Sequence, residues 1–197
     1  EGVPGCIKNG IDEKIANKIY DEMIDFAQYA FNKSHAAAYA YVTYQTAFLK
    51  YYYPVEYMAA LMTSVIDKPT KVAEYIQVCR QMNIPILPPD INKGEYGFSV
   101  SGGSILYALS AIKSVGRPVI EAIVAERKEH GEYLSVKNFI ERNMEAVNKR
   151  AIENFIKAGA LDCLEGNRHQ KMVVFGQIVD DISRNKKQSM AGQLSLF

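Results

Sequence analysis

Apolar side chains along this chain recur at helical spacing from the start. Ile11, Ile15, Ile19 and Met23 fall every four residues, and Asp12 and Glu13 sit where acidic groups suit a helix start. This spacing predicts an amphipathic helix ending near Phe31. Ser34 is placed to cap a second helix that carries Ala37, Ala40, Tyr41, Tyr44, Ala47, Phe48 and Tyr51 on one broad stripe and must stop or bend at Pro54. A third helix follows over about 55–65. Asp67-Lys68-Pro69-Thr70 opens a fourth, running to about Met82, with Pro69 near its start where the missing N–H is harmless.

The pattern breaks at Ile84-Pro85-Ile86-Leu87-Pro88-Pro89-Asp90, where closely spaced prolines preclude a helix and favour an extended linker or edge strand. A domain boundary is expected here, giving units 1–88 and 89–197. Tyr96 to Val100 and Ile105 to Tyr107 flank Ser101-Gly102-Gly103-Ser104, which reads as a hairpin whose glycines accept positive φ. Helices are then expected over 118–130, 135–142, 148–158 and 167 to about 185, the last opened by Asn167 with Gln170 three residues on. Polar Arg184 to Ser189 reads as a flexible linker, and no internal repeat stands out. The fold class expected is mainly α: a helical portion, then a small α+β unit.

At 197 residues the chain suffices for one domain or two small ones. A net charge near +1 neither demands nor excludes a nucleic acid, because binding depends on local basic patches. Cys6, Cys79 and Cys163 are scattered and odd in number, which suggests neither a disulfide framework nor a zinc site and fits reduced thiols in a cytoplasm. The most apolar stretch, Ala36 to Tyr53, is interrupted by Thr43, Gln45, Thr46 and Lys50, so no membrane span is expected. The chain starts at Glu1 rather than Met, and the expectation is a piece of something longer.

Three segments carry candidate chemistry, each with a plainer alternative. Lys33, Ser34 and the free N–H groups of a helix start form an anion site, with His35 and Tyr39 one turn apart to meet a sugar or base. Alternatively Ser34 only caps, Lys33 is solvated, and His35 and Tyr39 pack. The second segment, Leu109 to Pro118 followed by Val119, Ile120, Ile123 and Val124, resembles a helix-hairpin-helix over about 109–127. In that motif the hairpin amides of Lys113, Ser114, Val115 and Gly116 hold a DNA phosphate, with charge from Lys113 and Arg117; the alternative is a plain helix start at Pro118. Arg168 and Lys171 are the fallback basic pair. The third segment is Gln193-Leu194-Ser195-Leu196-Phe197, an amide followed by spaced apolar anchors, able to insert into a partner's pocket or to fold back on its own core. Asp21-Glu22 and Asp180-Asp181 read as solvated faces.

The run Phe31-Asn32-Lys33-Ser34-His35-Ala36-Ala37-Ala38-Tyr39-Ala40-Tyr41-Val42-Thr43-Tyr44-Gln45-Thr46-Ala47-Phe48-Leu49-Lys50 resembles the fingers segment of the bacterial DNA polymerase III alpha subunit, a C-family replicative polymerase. The likeness continues in the family's order through Tyr53 to Ala60, Leu87 to Asn92, Asn148-Lys149-Arg150 and Ala158-Gly159-Ala160. It implies that 1–88 is the C-terminal part of the fingers, with Lys33, His35 and Tyr39 near the incoming deoxynucleotide triphosphate. It implies a clamp-binding domain over 89–197, in which Lys113, Ser114, Val115, Gly116 and Arg117 hold primer-template DNA. Gln193, Leu194, Leu196 and Phe197 would then be the peptide that binds the sliding clamp, the beta subunit. Where the family usually has glycine in the turn, this chain has Ser114, which alters how closely the backbone can approach a phosphate.

The resemblance also implies two-metal phosphoryl transfer in the whole enzyme, with magnesium held by palm carboxylates that nothing in this chain resembles. No cofactor or metal ligand and no catalytic residue is therefore expected in this piece, which alone should be inactive. Other replicase subunits, a cytoplasmic, nucleoid-associated setting and no membrane complete the expectation. The alternative from another class is a non-enzymatic helix-hairpin-helix scaffold of the repair type.

Overall fold

Side-chain caps or prolines mark most helix starts in this chain, whose computed structural model describes residues 5–29 and 32–194. Two compact units divide it between Phe48 and Leu49, so the proline-rich segment 84–90 lies within the second.

In the first unit, a 3₁₀ turn over Ile7–Asn9 ends at Gly10, and α1 spans Glu13–Tyr29. Asp12 caps α1 rather than sitting in its first turn: its Oδ1 accepts from the amides of Lys14 at 3.0 Å and Ile15 at 3.3 Å. The stripe of Ile11, Ile15, Ile19 and Met23 is present but exposed, and of the described side chains here only Ala16 is buried. Helix α2 spans Lys33–Tyr52 and buries none of its residues.

The second unit takes in the last residues of α2 and then α3 (Pro54–Ser64) and α4 (Pro69–Gln81), each with proline in its first turn, where the orphan N–H would have no partner anyway. Three short strands follow: β1 (Ile86–Leu87), β2 (Ser99–Ser101) and β3 (Ser104–Leu106). The sheet order is β1-β3-β2, with β1 parallel to β3 (Ile86 opposite Ile105) and β2 antiparallel to it through the expected hairpin. Gly102 and Gly103 have φ of 56° and 78°, a turn that glycine adopts without a Cβ clash. Met58, Met62, Val72, Cys79, Ile84, Phe98 and Ile105 join α3 and α4 to this sheet in one apolar cluster.

Four more helices build the larger cluster: α5 (Arg117–His130), α6 (Val136–Arg142), α7 (Lys149–Ala158) and α8 (Arg168–Leu194). Ile120, Ile123, Phe139, Ile140, Ile152, Phe155 and Ile156 are its fully buried centre. Ser135 and Asn148 cap α6 and α7 by accepting from the amides three residues on. Asn167 and Gln170 form the expected reciprocal box, with each side chain accepting from the other's amide at 2.9 and 3.0 Å.

Arg184 to Ser189 is helical, not a flexible linker, because Lys, Gln, Arg and the following Met and Ala are good helix formers and no proline intervenes. Gly159, at φ 84°, ends α7, and a Cβ there would strike Arg168 Nη2. The architecture is thus mainly α with a small α+β unit. No described helix is long and apolar enough to cross a membrane.

Candidate nucleic-acid interface

The hairpin begins on a 3₁₀ turn, Leu109–Ala111, in place of a full first helix, and passes through Ile112, Lys113, Ser114 and Val115 to Gly116 at the cap of α5. Ile112 and Val115 are buried and anchor the loop, leaving Lys113, Ser114, Gly116 and Arg117 exposed between and after them. Ser114 has φ 63°, the left-handed conformation that L side chains adopt only at a steric cost. The glycine expected in this turn therefore has a backbone reason.

Arg117 stands over the Tyr96 ring, 4.7 Å from its centroid, and its Nε donates to Glu121 Oε1 at 2.7 Å. The hydrogen bond to Glu121 raises its pKa above the ordinary arginine value. A phosphate at this helix start would meet a guanidinium already held by a neighbouring carboxylate. Lys113, by contrast, has no hydrogen bond or ion pair among the described residues.

An internal repeat, which the sequence reading did not find, doubles this arrangement. Val147-Asn148-Lys149-Arg150-Ala151-Ile152-Glu153-Asn154-Phe155 aligns with Val115-Gly116-Arg117-Pro118-Val119-Ile120-Glu121-Ala122-Ile123, sharing the valine, the isoleucine, the glutamate and a basic residue after the cap. Val115 and Val147 are both buried ahead of the cap, Gly116 and Asn148 both cap in the extended conformation, and Ile120 and Ile123 correspond to buried Ile152 and Phe155. The cap's change from glycine to asparagine hides the repeat. Its visible signal is the shared buried, cap, basic, buried, acidic order.

Lys149 corresponds to Arg117 and is likewise paired, here with Asp180 at 2.6 Å. Asp180 is accordingly an ion-pair partner and not simply a solvated acid. Arg150 reaches back across the two hairpins, its Nη2 donating to Ser114 Oγ at 3.3 Å. Arg150 was not among the expected site residues, and it places a second guanidinium at the turn.

The fallback basic pair is committed elsewhere. Lys171 is buried and donates to the carbonyls of Leu161 and Leu164, at 2.8 and 2.9 Å. Arg168 grips Asp162, holding that carboxyl below the usual carboxylate range. Lys171 is thus withdrawn from the surface, whereas Arg168 is half-exposed and ion-paired, as Arg117 and Lys149 are.

In the first unit, Lys33, His35 and Tyr39 all lie at the exposed start of α2. The rings of His35 and Tyr39 meet with centroids 4.2 Å apart, so the pair shares a face as expected. The cap, however, is Asn32 and not Ser34: Asn32 Oδ1 accepts from the amides of Ser34 at 2.9 Å and His35 at 3.4 Å. Asparagine one residue earlier is placed to reach both amides, while Ser34 falls inside the helix. Those two amides are occupied, so an anion here would be held mainly by side chains.

Gln193 and Leu194 end α8, with side chains outside the described residues, as are Leu196 and Phe197 altogether. Asp21 and Glu22 are exposed, with Glu22 only 3.9 Å from Lys18. Among the described residues no group of three His, Cys, Asp or Glu side chains is placed to hold a metal ion.

A family model described as a helix-hairpin-helix motif matches residues 83–171, which contain both hairpins. The chain is 43% identical over 190 residues to a protein named DNA polymerase III subunit alpha from Chlamydia trachomatis, covering 96% of this chain and 15% of that one. Proteins of the same name from Thermus aquaticus and Vibrio cholerae are 42% and 44% identical over 99% and 98% of the chain, which spans 16% and 17% of them. The chain thus spans about 15% of the length of the relatives it matches.

Proposed function

Since the chain belongs to the DNA polymerase III alpha-subunit family, of whose members it spans about 15%, we propose that it is the part of a replicative DNA polymerase that holds the primer-template duplex. The observation that carries this reading is the doubled hairpin. Two helix starts, those of α5 and α7, are presented with exposed Lys113, Arg117, Lys149 and Arg150, and Arg150 binds Ser114 in the turn of the other. Backbone amides and cations at helix starts bind phosphates without reading sequence, as a polymerase that must copy any template requires.

In the same reading Lys33, His35 and Tyr39 face the incoming deoxynucleotide triphosphate, Lys33 as the phosphate cation and the stacked pair as a surface for sugar or base. Gln193, Leu194, Leu196 and Phe197 tether the enzyme to the sliding clamp. Magnesium and the catalytic carboxylates would be supplied by other parts of the full polymerase. The likeness to polymerase subunits includes the Phe31–Lys50 run, which a repair scaffold has no use for.

The test is duplex binding across a salt series. Each lost phosphate contact should reduce the slope of log K against log salt by about 1. Lys113→Ala with Arg117→Ala, and separately Lys149→Ala with Arg150→Ala, should each flatten it, equally for unrelated sequences. If neither pair changes the slope, the hairpins are not the DNA contact.

A further inference from the structure

Beside the first hairpin lies an open cleft of about 480 Å³, lined by Pro89, Tyr107, Ala111, Ile112, Lys113, Asn154, Lys157 and Ala158. It lies wholly within the second unit and draws on the hairpin, on α7 and on the end of β3. Its size falls within the ~300–1,000 Å³ of small-ligand sites. Three of its polar groups have no intramolecular hydrogen bond or ion pair among the described residues: the Lys113 ammonium, the Asn154 carboxamide and the Tyr107 hydroxyl. Burial raises the Tyr107 pKa, which keeps that hydroxyl a donor. Pro89, Ala111, Ile112 and Ala158 add apolar surface. One cleft therefore offers cations, an amide able both to donate and accept, a hydroxyl and an apolar wall.

Charge limits the occupant. Lys157 is already bound to Glu153 across one helical turn, so Lys113, Lys157 and Glu153 together amount to a single positive charge. That matches one phosphodiester and falls well short of a triphosphate. The apolar wall suits the face of a base, which stacks without regard to its identity. The amide of Asn154 suits a base edge.

We propose that this cleft takes one nucleotide of an unpaired DNA strand, its phosphodiester against Lys113 and Lys157 and its base on the wall of Pro89, Ala111 and Ile112, with Asn154 and Tyr107 bonding its polar groups. The assignment rests on the nucleic-acid reading above; it shares Lys113 with the duplex contact and adds Tyr107, Asn154, Lys157 and the apolar wall, which that contact does not use. It gives the molecule a single-strand contact adjacent to its duplex contact, suited to the junction where the template leaves the double helix.

The experiment titrates the 197-residue chain with a short fluorescent oligothymidylate and with a blunt duplex, checking each variant's fold by thermal melting. Asn154→Leu, which fills the cleft, should lower single-strand affinity by about tenfold, and Lys157→Glu, an exposed change, should lower it too. Neither should alter duplex affinity. Arg117→Ala with Lys149→Ala should do the reverse. Wild-type single-strand affinity in folded Asn154→Leu and Lys157→Glu overturns the cleft assignment while leaving the duplex reading intact. Unchanged duplex binding in the hairpin variant sinks only the latter. Thymidine monophosphate should compete poorly; if it competes as well as an equal concentration of strand, the cleft is a mononucleotide site and the strand assignment fails.

Discussion

Ser114 shows how one residue's backbone can bear on function. Its φ of 63° is sterically costly for a branched side chain, so Ser114→Val should destabilise the fold by about 1–2 kcal/mol, measured by chemical denaturation. Ser114→Gly should not, and should release Arg150 as well. Arg127 is the opposite case, a charge spent on structure: buried, it donates to the carbonyls of Ile91 and Gly94 at 2.9 and 2.7 Å and to Glu95 at 3.1 Å. Arg127→Met should cost about 2–4 kcal/mol, because the buried carbonyls lose their donor, and should loosen the loop before the hairpin; denaturation midpoints would show it. The Ser114 site was legible because the family that the chain resembles usually carries glycine in that turn. Arg127 was not, since its partners are distant in sequence and an arginine in a helix pattern normally reads as solvated.

Helix ends were legible wherever capping chemistry is local, as with Ser135, Asn148 and the Asn167–Gln170 pair. They were less so at α2, where Asn32 and Ser34 are both competent caps and only geometry chooses between them. The repeat of the hairpin escaped because its fixed features are burial and backbone conformation, which tolerate changed side chains. Between α5 and α6, Arg142 donates to Glu126 Oε1 at 3.0 Å and to the carbonyls of Glu126 and Gly131. The hydrogen bond from Arg142 holds the Glu126 carboxyl below its ordinary 4.5. A lowered folded pKa means that this stabilisation is complete above about 4.5 and is lost as pH falls through the folded value. Denaturation at a series of pH values should show stability falling below that point, less steeply in Glu126→Gln, which starts lower at neutral pH.

Across the molecule, the apolar spacing of α1 announced a helix correctly but not what covers it. Ile15, Ile19, Met23 and Phe26 are exposed in the chain by itself. A stripe of that kind normally marks an interaction surface, so the chain should bind a hydrophobic dye or associate as concentration rises, and Ile19→Lys with Met23→Lys should reduce both in fluorescence and sedimentation measurements. At the other end of the scale of contact, the two hairpins, which share one apolar core, are linked at their surface by the hydrogen bond from Arg150 to Ser114. A phosphate drawn to Arg150 at the start of α7 competes with that bond, and breaking it frees the turn at the start of α5 to receive its own. The two occupancies then favour each other, and by reciprocity each strengthens the other by the same factor. One exposed hydrogen bond sets the ceiling at about 1.5 kcal/mol, roughly tenfold. On the proposed duplex reading, that is enough to make the grip cooperative while leaving each hairpin able to let go.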